Sequence, residues 1–210
     1  MKSKHLLCVH RLIGILIATV TTGCGGSSNE ASQTDSAPKG RNPKWATPLQ
    51  REGLPNLHQV APNIYRGAQP TPEGFASLNA MGVKTIINFR RFHSDEDEIK
   101  QAGLEGAFQT IEIPINTWDM TDEHAARFLQ IVEDKQNHPV FYHCQHGADR
   151  TGTMTAVYRI AHQGWTKKEA VDEMVDGELG YHAIWTNLIK YLEGFDTARI
   201  RSAVHSPSEP

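Results

Sequence analysis

The sequence predicts an α/β domain in which a central, mostly parallel sheet is flanked by helices. Between about residues 50 and 196, short β-branched or apolar segments alternate with segments whose apolar residues recur at helical spacing. Strands separated by helices pair in parallel, because a parallel connection needs a crossover of about a dozen residues or more. The segment is also long enough to form one hydrophobic core.

Residues 1–24 have the pattern of an export signal. A basic start precedes the uncharged apolar run 12–20, whose nine residues, at about 1.5 Å each, reach only about half of a ~30 Å hydrocarbon core. The small residues before Cys24 resemble the end of a bacterial lipoprotein signal, although Thr21 stands where such signals usually carry leucine. We therefore expect export to the bacterial cell envelope or periplasm, with lipidation and membrane anchoring at Cys24 or ordinary cleavage nearby.

The segments on either side of the domain are expected to be unstructured. Residues 25–49 are predicted to be a flexible linker, because they are rich in Gly, Ser, Asn and Pro and carry few large apolar side chains. The tail 197–210 is expected to be disordered for the same reason. The folded domain is therefore expected over residues 50–196.

Four segments open the domain in the order strand, helix, strand, helix. The short strand 63–67 precedes a helix over 71–81, in which Thr71 offers an N-cap and the proline after it suits the first helical position. The β-branched segment 83–89 is typical of a buried strand, and 94–102 is predicted to be a short acidic helix.

The second half continues the alternation. The segment 108–113 alternates as a strand should, and Thr121 precedes a helix with apolar residues at i, i+3, i+4 and i+7. A short central strand is predicted at 139–142. Helices are expected after it over 150–163, 167–175 and 183–192.

Composition excludes two classes of protein. The chain has 21 Lys and Arg against 24 Asp and Glu, a formal net charge of −3 and a pI near 6.4, which argues against a general nucleic-acid-binding protein. Its three cysteines are an odd and sparse set, which excludes a disulfide scaffold. Two of them lie in the predicted export signal, and the third is Cys144.

The most informative stretch, HCQHGADRTG, covers residues 143–152 between a predicted strand and a predicted helix. A loop at a helix N-terminus gathers several backbone N–H groups into one anion-binding concavity, and Gly147 and Gly152 permit the backbone angles and close packing that this needs. Arg150 adds a planar group that can pair with two phosphate oxygens. The same positive field favours a thiolate at Cys144 near neutral pH.

The pattern His-Cys-x5-Arg-Thr-Gly resembles the phosphate-binding loop of the protein tyrosine phosphatase superfamily. Residues within segments 63–70, 82–88 and 158–165 also resemble the dual-specificity phosphatases, in particular an exported or atypical bacterial branch of them. The resemblance implies a protein tyrosine phosphatase-like fold over 50–196 and a reaction that needs no metal and no cofactor. Sulfur transfer in rhodanese-like domains is a competing chemistry, but their loops usually lack the Arg-Thr-Gly entry into the helix.

The resemblance implies a two-step mechanism. Cys144 attacks phosphorus in line, a carboxylic acid protonates the departing oxygen, and water then hydrolyses the cysteinyl phosphate with the same carboxylate as base. The Thr151 hydroxyl assists the departure of sulfur. The phosphate would be held by residues of the loop, namely Gln145, His146, Gly147, Ala148, Asp149 and Arg150.

Two aspartates compete for the role of general acid. Asp119 lies in a loop beside Trp118, which could shield the acid and favour its neutral form. Asp122 directly follows the predicted cap Thr121, where a carboxylate commonly complements the helix dipole. We favour Asp119 because of this tuning of its pKa by the neighbouring tryptophan. Asp122 stays the alternative, because the tryptophan-proline-aspartate signature of the larger tyrosine phosphatases, which would mark the acid, is absent here.

Several further residues have both a functional and an ordinary interpretation. His143 is expected behind the nucleophile, either as a core histidine that orients the loop or as a group that tunes the thiol. Arg66, Arg90 and Arg91 either line the site or are ordinary solvated charges. Despite eleven histidines, the sequence shows no metal-ligand spacing, so no metal site is predicted.

Substrate preference follows from the charge of the loop. Its variable positions carry no lysine or arginine, and Asp149 adds a negative charge, so a single phosphomonoester is favoured over a polyanion. We expect phosphotyrosine on proteins, with phosphoserine and phosphothreonine as further substrates. The alternatives are inositol phosphates or another small phosphoester, or a lipid-tethered phosphate-binding module without turnover. No nucleic-acid partner is expected.

Overall fold

The computed structural model describes residues 40–205, and their central feature is a six-stranded, mixed sheet. The strands are β1 (Thr47–Pro48), β2 (His58–Ala61), β3 (Ile64–Gly67), β4 (Thr85–Asn88), β5 (Gln109–Glu112) and β6 (Val140–His143). Their order in the sheet is β1-β2-β3-β6-β4-β5. The neighbours β3-β6, β6-β4 and β4-β5 are parallel, and β1-β2 and β2-β3 are antiparallel. This confirms the predicted α/β class with a mostly parallel sheet.

Helices cover both faces of the sheet. Each of the six predicted helices is present, with ends that differ from the predicted ends by a few residues. A seventh helix, α7, follows them. The helices are α1 (Pro72–Ala80), α2 (Glu96–Gln101), α3 (Asp122–Glu133), α4 (Asp149–Ala161), α5 (Lys167–Asp176), α6 (Thr186–Gly194) and α7 (Thr197–His205), with a 3-10 turn at Lys135–Asn137.

The central strand β6 carries apolar side chains on both faces. Phe141 packs into the cluster under α1 and α2, whereas Tyr142 packs into the larger cluster under α3 and α4. Successive side chains of a strand point to opposite faces. A strand buried on both faces therefore appears in the sequence as a continuous apolar run, as β6 does.

The C-terminal segment corrects one prediction. Residues 197–205 form α7 rather than the start of a disordered tail, and α7 packs on α3. Ile200 is fully buried, and the partly buried Val204 lies one turn further along the same face. Arg199 pairs with Asp122 at the start of α3 at 2.5 Å. The sequence did not predict α7, because one short row of apolar residues in an otherwise polar segment is weak evidence for a helix.

The N-terminal boundary corrects a second prediction. Residues 40–49, assigned to the linker, are attached to the domain through β1 and through the buried Ala46. The Ala46 N–H donates to Glu173 Oε1 at 2.6 Å, and Glu173 is held by Arg159 through two 2.7 Å hydrogen bonds. This buried pair gives the polar N-terminal segment partners that the local sequence does not reveal.

The predicted export signal over 1–24, the lipidation of Cys24 and the linker over 25–39 lie outside the described residues. They stay predictions from the sequence. Within residues 40–205, no helix combines the length and the apolar character that crossing a membrane requires.

Candidate active site

The loop between β6 and α4 lies at the carboxyl ends of the parallel strands, where α/β sheets place their ligand sites. Cys144 follows the last residue of β6 and is only 2% exposed. Ala148 is the N-cap of α4, and its side chain makes no capping hydrogen bond. The first N–H groups of this thirteen-residue helix therefore have no side-chain cap and are available to an anion.

Three successive carbonyl groups of the loop accept hydrogen bonds from the surrounding protein. The Gln69 N–H donates to Gln145 O at 3.3 Å, Asn56 Nδ2 donates to His146 O at 3.0 Å, and Arg66 Nη2 donates to Gly147 O. The N–H and C=O of a trans peptide point in opposite directions. The N–H groups of the following residues therefore face away from these donors, as in an anion-binding loop.

Gly147 allows the loop to lie against the end of β3. Its φ is +67°, and a Cβ at this position would lie 2.6 Å from Gly67 O and 2.7 Å from Ala68 N. Both the backbone conformation and the space therefore require glycine here.

Arg150 lines a hollow beside the loop. Its Nη1 donates to Phe89 O at 3.3 Å and to Ile115 O at 3.4 Å, so the ends of two neighbouring segments hold the guanidinium. These bonds involve one of the two terminal nitrogens. A guanidinium has five N–H donors in all, so others remain for phosphate oxygens.

The hollow beside the loop has a volume of about 360 Å³ and a cationic, partly apolar lining. Its charged and titratable lining groups are Arg90, Arg91, Arg150, His93 and His146, and none of its described lining residues is acidic. Phe92 and Trp118, which are 90% and 69% exposed, supply apolar surface at the same place. A larger hollow of about 620 Å³ adjoins the start of β6 and contains no residue of the loop.

Arg66 supports the loop from below, so it is neither a solvated charge nor part of the hollow's lining. It is fully buried, and besides its bond to Gly147 O it donates from Nη1 to Thr155 Oγ1 at 3.2 Å. Burial lowers the pKa of Arg66 from its ordinary value, although nearby Tyr142 and Glu173 oppose this shift. The arginine links β3, the loop and α4.

Behind the nucleophile, His143 belongs to a buried polar chain that the sequence did not reveal. His143 Nε2 donates to Asp95 Oδ2 at 2.9 Å, and Gln69 Nε2 donates to Asp95 Oδ1 at 2.8 Å. Arg90 Nη1 in turn donates to Gln69 Oε1 at 2.9 Å. These hydrogen bonds therefore connect Arg90, which lines the hollow, to His143, the residue before Cys144. They place His143 behind the loop.

The pKa of the Asp95 carboxyl lies below its ordinary value. Burial alone would raise the pKa of Asp95, but the hydrogen bond and charge of His143, and the hydrogen bond from Gln69, outweigh that effect. Asp95 is therefore ionised in the folded protein at neutral pH and favours the arrangement in which His143 Nε2 carries a proton.

Replacing Asp95 by asparagine is expected to lower the free energy of unfolding at pH 7 by about 2 kcal/mol, because a buried charged hydrogen-bond acceptor is lost. The folded-state pKa of Asp95 is lowered, so its contribution is present above the unfolded pKa of about 3.9 and is lost as pH falls through the folded value. Urea denaturation of the wild type and Asp95→Asn from pH 7 down to pH 3 would test this. The difference between them should be constant above about pH 5 and shrink below about pH 4.

Asp97→Asn is the matched control, because Asp97 lies in α2, which begins directly after Asp95, and is exposed. A surface change of this kind should alter stability by no more than about 0.5 kcal/mol. Equal losses in the two variants would contradict the assignment of Asp95.

The two candidate acids have different surroundings. Asp119 is exposed and lines a second hollow of about 390 Å³, which shares Arg91, Phe92 and Asn116 with the hollow beside the loop. Asp122 begins α3, where it pairs with Arg199 and accepts a 3.3 Å hydrogen bond from the Tyr191 hydroxyl. Asp122 thus has structural partners at the start of the helix.

The remaining loop residues differ in burial and in the partners of their side chains. Gln145 and His146 are exposed and line the hollow, and Ala148 is buried. The Asp149 carboxylate, predicted to add negative charge to the loop, instead accepts hydrogen bonds from the backbone and ring of His182. Thr151 is fully buried, and its hydroxyl has no hydrogen-bond partner among residues 40–205.

Comparisons with known proteins match this architecture. Residues 44–183 match the family model described as DSP-PTPase phosphatase fused to NAD+ kinase. The dual specificity protein phosphatase TpbA of Pseudomonas aeruginosa is 31% identical over 165 residues, which are 78% of this chain and 72% of that protein. An inositol diphosphatase of Arabidopsis thaliana is 24% identical over 163 residues, which are 72% of this chain and 75% of that protein.

Solved structures of TpbA have the same fold. One crystal structure superposes with a TM-score of 0.67 at 29% identity, and the match covers 78% of this chain and 98% of the crystallised chain. A TpbA variant in complex with pTyr gives a TM-score of 0.68 at 28% identity, with coverage of 80% and 99%.

Proposed function

Because this chain belongs to the dual-specificity phosphatases of the protein tyrosine phosphatase superfamily, we propose that it hydrolyses phosphotyrosine on proteins through a cysteinyl-phosphate intermediate. The observation that carries the proposal is the loop itself. Three of its carbonyl groups accept hydrogen bonds from the surrounding protein, Cys144 lies at its start, and Arg150 lines a cationic hollow.

In the first step the Cys144 sulfur attacks phosphorus in line with the departing oxygen. The loop N–H groups and the Arg150 guanidinium bind the three equatorial oxygens, where charge is spread in the transition state. The S–P bond forms as the P–O bond breaks, and the tyrosine oxygen takes a proton from Asp119. Asp119 fits this role because its side chain is exposed beside the hollow.

In the second step water attacks the cysteinyl phosphate. Asp119, now a carboxylate, accepts the proton of the water, and inorganic phosphate leaves as the sulfur takes back the electron pair of the S–P bond. A hydroxyl donor close to the departing thiolate would stabilise its charge. The buried, unpartnered Thr151 hydroxyl is the group proposed for this role.

Aromatic and apolar groups beside the hollow support phosphotyrosine as the substrate. Phe92 and Trp118 are large, exposed side chains that line it and can contact a phenyl ring. The relative TpbA has been solved in complex with pTyr, which supports the same substrate here.

The charge of the hollow favours a second candidate substrate class, the inositol phosphates. Arg90 and Arg91 add to Arg150, so the positive charge missing from the variable loop positions is supplied by the segment after β4. Multiply phosphorylated substrates gain most from several cations. Relatives named as inositol diphosphatases support this alternative.

Steady-state kinetics with the purified chain would separate the candidates. We expect phosphate release from a phosphotyrosine peptide, inhibition by vanadate, and a kcat/KM at least tenfold higher than for a phosphoserine peptide or an inositol polyphosphate. Faster turnover of the inositol polyphosphate would replace phosphotyrosine by the second candidate. Absence of phosphate release from all three would leave a phosphate-binding module.

A further inference from the structure

A group of three metal-binding side chains lies at the rim of the phosphate loop. One ligand atom from each of His146, Asp149 and His182 lies within 4.8 Å of the other two. We propose that these three residues bind a zinc ion. The three ligands do not include Cys144, and the proposal does not depend on which substrate the phosphatase hydrolyses.

The ligand set suits zinc. Two imidazole nitrogens and one carboxylate oxygen, with a fourth position left to water, form a set that zinc accepts in proteins. With metal–ligand bonds of about 2.0–2.1 Å, tetrahedral ligand atoms lie about 3.4 Å apart. Asp149 Oδ2 and His182 Nδ1 are 2.9 Å apart, so a bound ion requires this pair to open slightly. The ion also takes the place of the proton that His182 Nδ1 donates to the carboxylate, and that proton leaves to solvent.

His146, the third ligand, needs only a small adjustment of its side chain. The rings of His146 and His182 have centroids 5.5 Å apart and are inclined at 64°. Both histidines are exposed, so their rings can rotate without disturbing the core. A rotation about the side-chain bonds of His146 would bring its nitrogen from at most 4.8 Å to ligand spacing.

The backbone already holds the two contributing segments together. Asn56 Nδ2 donates to His146 O and to Leu179 O, each at 3.0 Å, so one side chain joins the loop to the segment before His182. The His182 N–H donates to Asp149 Oδ1 at 3.0 Å, which orients the carboxylate and leaves Oδ2 for the ion. Binding therefore needs little ordering of the chain.

A zinc ion at this position would fasten the phosphate loop to the connection between α5 and α6. His146 lines the hollow beside the loop, so the ion would also add positive charge at its rim. This position suits reversible control of the site by a divalent cation.

The test uses full-length protein with Cys8→Ser, Cys24→Ser and Cys144→Ser, so that no thiolate can act as a ligand. Zinc affinity is measured by competition with a chromophoric chelator at pH 7.5. We expect one zinc ion per chain, and an affinity at least tenfold weaker when His182→Ala is added. His162→Ala is the matched control, because exposed His162 pairs with Glu133 at 3.1 Å but belongs to no three-ligand group found among residues 40–205.

Thermal unfolding in EDTA shows whether His182→Ala folds, and zinc should raise the unfolding midpoint of the parent but not of this variant. If His182→Ala is unstable, His146→Ala provides the same comparison at an exposed ring. Failure of the parent to bind zinc, equal affinity in parent and ligand variants, or an equal loss in His162→Ala would overturn the proposal.

Discussion

Replacing Cys144 by serine is expected to lower kcat for an aryl phosphate by roughly 10⁴-fold or more, as is usual when an enzyme loses its catalytic nucleophile. A hydroxyl is far less ionised than a thiol near neutral pH, and within residues 40–205 no histidine is hydrogen-bonded to the Cys144 side chain, so none is placed to activate a serine there. The loop amides and Arg150 do not depend on the sulfur atom, so binding of the phosphate group should persist.

The measurement is single-turnover and steady-state phosphate release, with a phosphotyrosine peptide titrated in parallel by calorimetry. An affinity within about threefold of the wild-type KM would show that the variant retains its site, provided KM approximates the dissociation constant. A Cys144→Ser rate above one hundredth of the wild-type rate would exclude Cys144 as the nucleophile. Loss of peptide binding together with turnover would instead indicate a disrupted loop.

Asp119→Asn is expected to lower kcat for a poor leaving group, such as tyrosine, by about 10²–10³-fold, the usual contribution of a positioned general acid. A good leaving group, such as an acidic nitrophenol, needs no protonation as it departs, so its rate should fall much less. Asp122→Asn is the matched control. It should leave this leaving-group dependence unchanged, because Asp122 already pairs with Arg199 and Tyr191.

The comparison requires kcat for a series of aryl phosphates of increasing phenol pKa, measured for both variants and the wild type. A steeper dependence for Asp119→Asn alone would identify the acid. Steepening in Asp122→Asn alone would move the role to Asp122, and equal steepening in both variants would contradict the preference for Asp119. Asp122→Asn should also lose some stability, since it removes an ion pair between α3 and α7.

The sheet and the loop could be predicted from the sequence because both depend on neighbouring residues. The alternation of β-branched runs with helical periodicity determines which segments become strands. Burial on both faces makes the middle of β4, Ile86–Ile87, and most of β6, Val140–Tyr142, continuous apolar runs. The loop motif likewise lies within ten consecutive residues, from His143 to Gly152.

The supporting residues could not be predicted because their partners are distant in sequence. Arg66 contacts Gly147 across 81 positions, and Asp95 contacts His143 across 48. An arginine or aspartate that is buried and paired looks in the sequence like one that is solvated, since only tertiary structure supplies the partner. Asp149 is a similar case, because the turn that contains His182 redirects its carboxylate.

The burial of Cys144 also determines which reagents can modify it. Cys144 is 2% exposed at the start of an anion-binding loop, and the hollow beside this loop has cationic groups and apolar walls. A covalent inhibitor or labelling reagent must therefore be narrow and should carry a negative charge, whereas neutral or bulky maleimides are disfavoured. Selective probes of this protein are expected to be anionic electrophiles with an aromatic group of phenyl size.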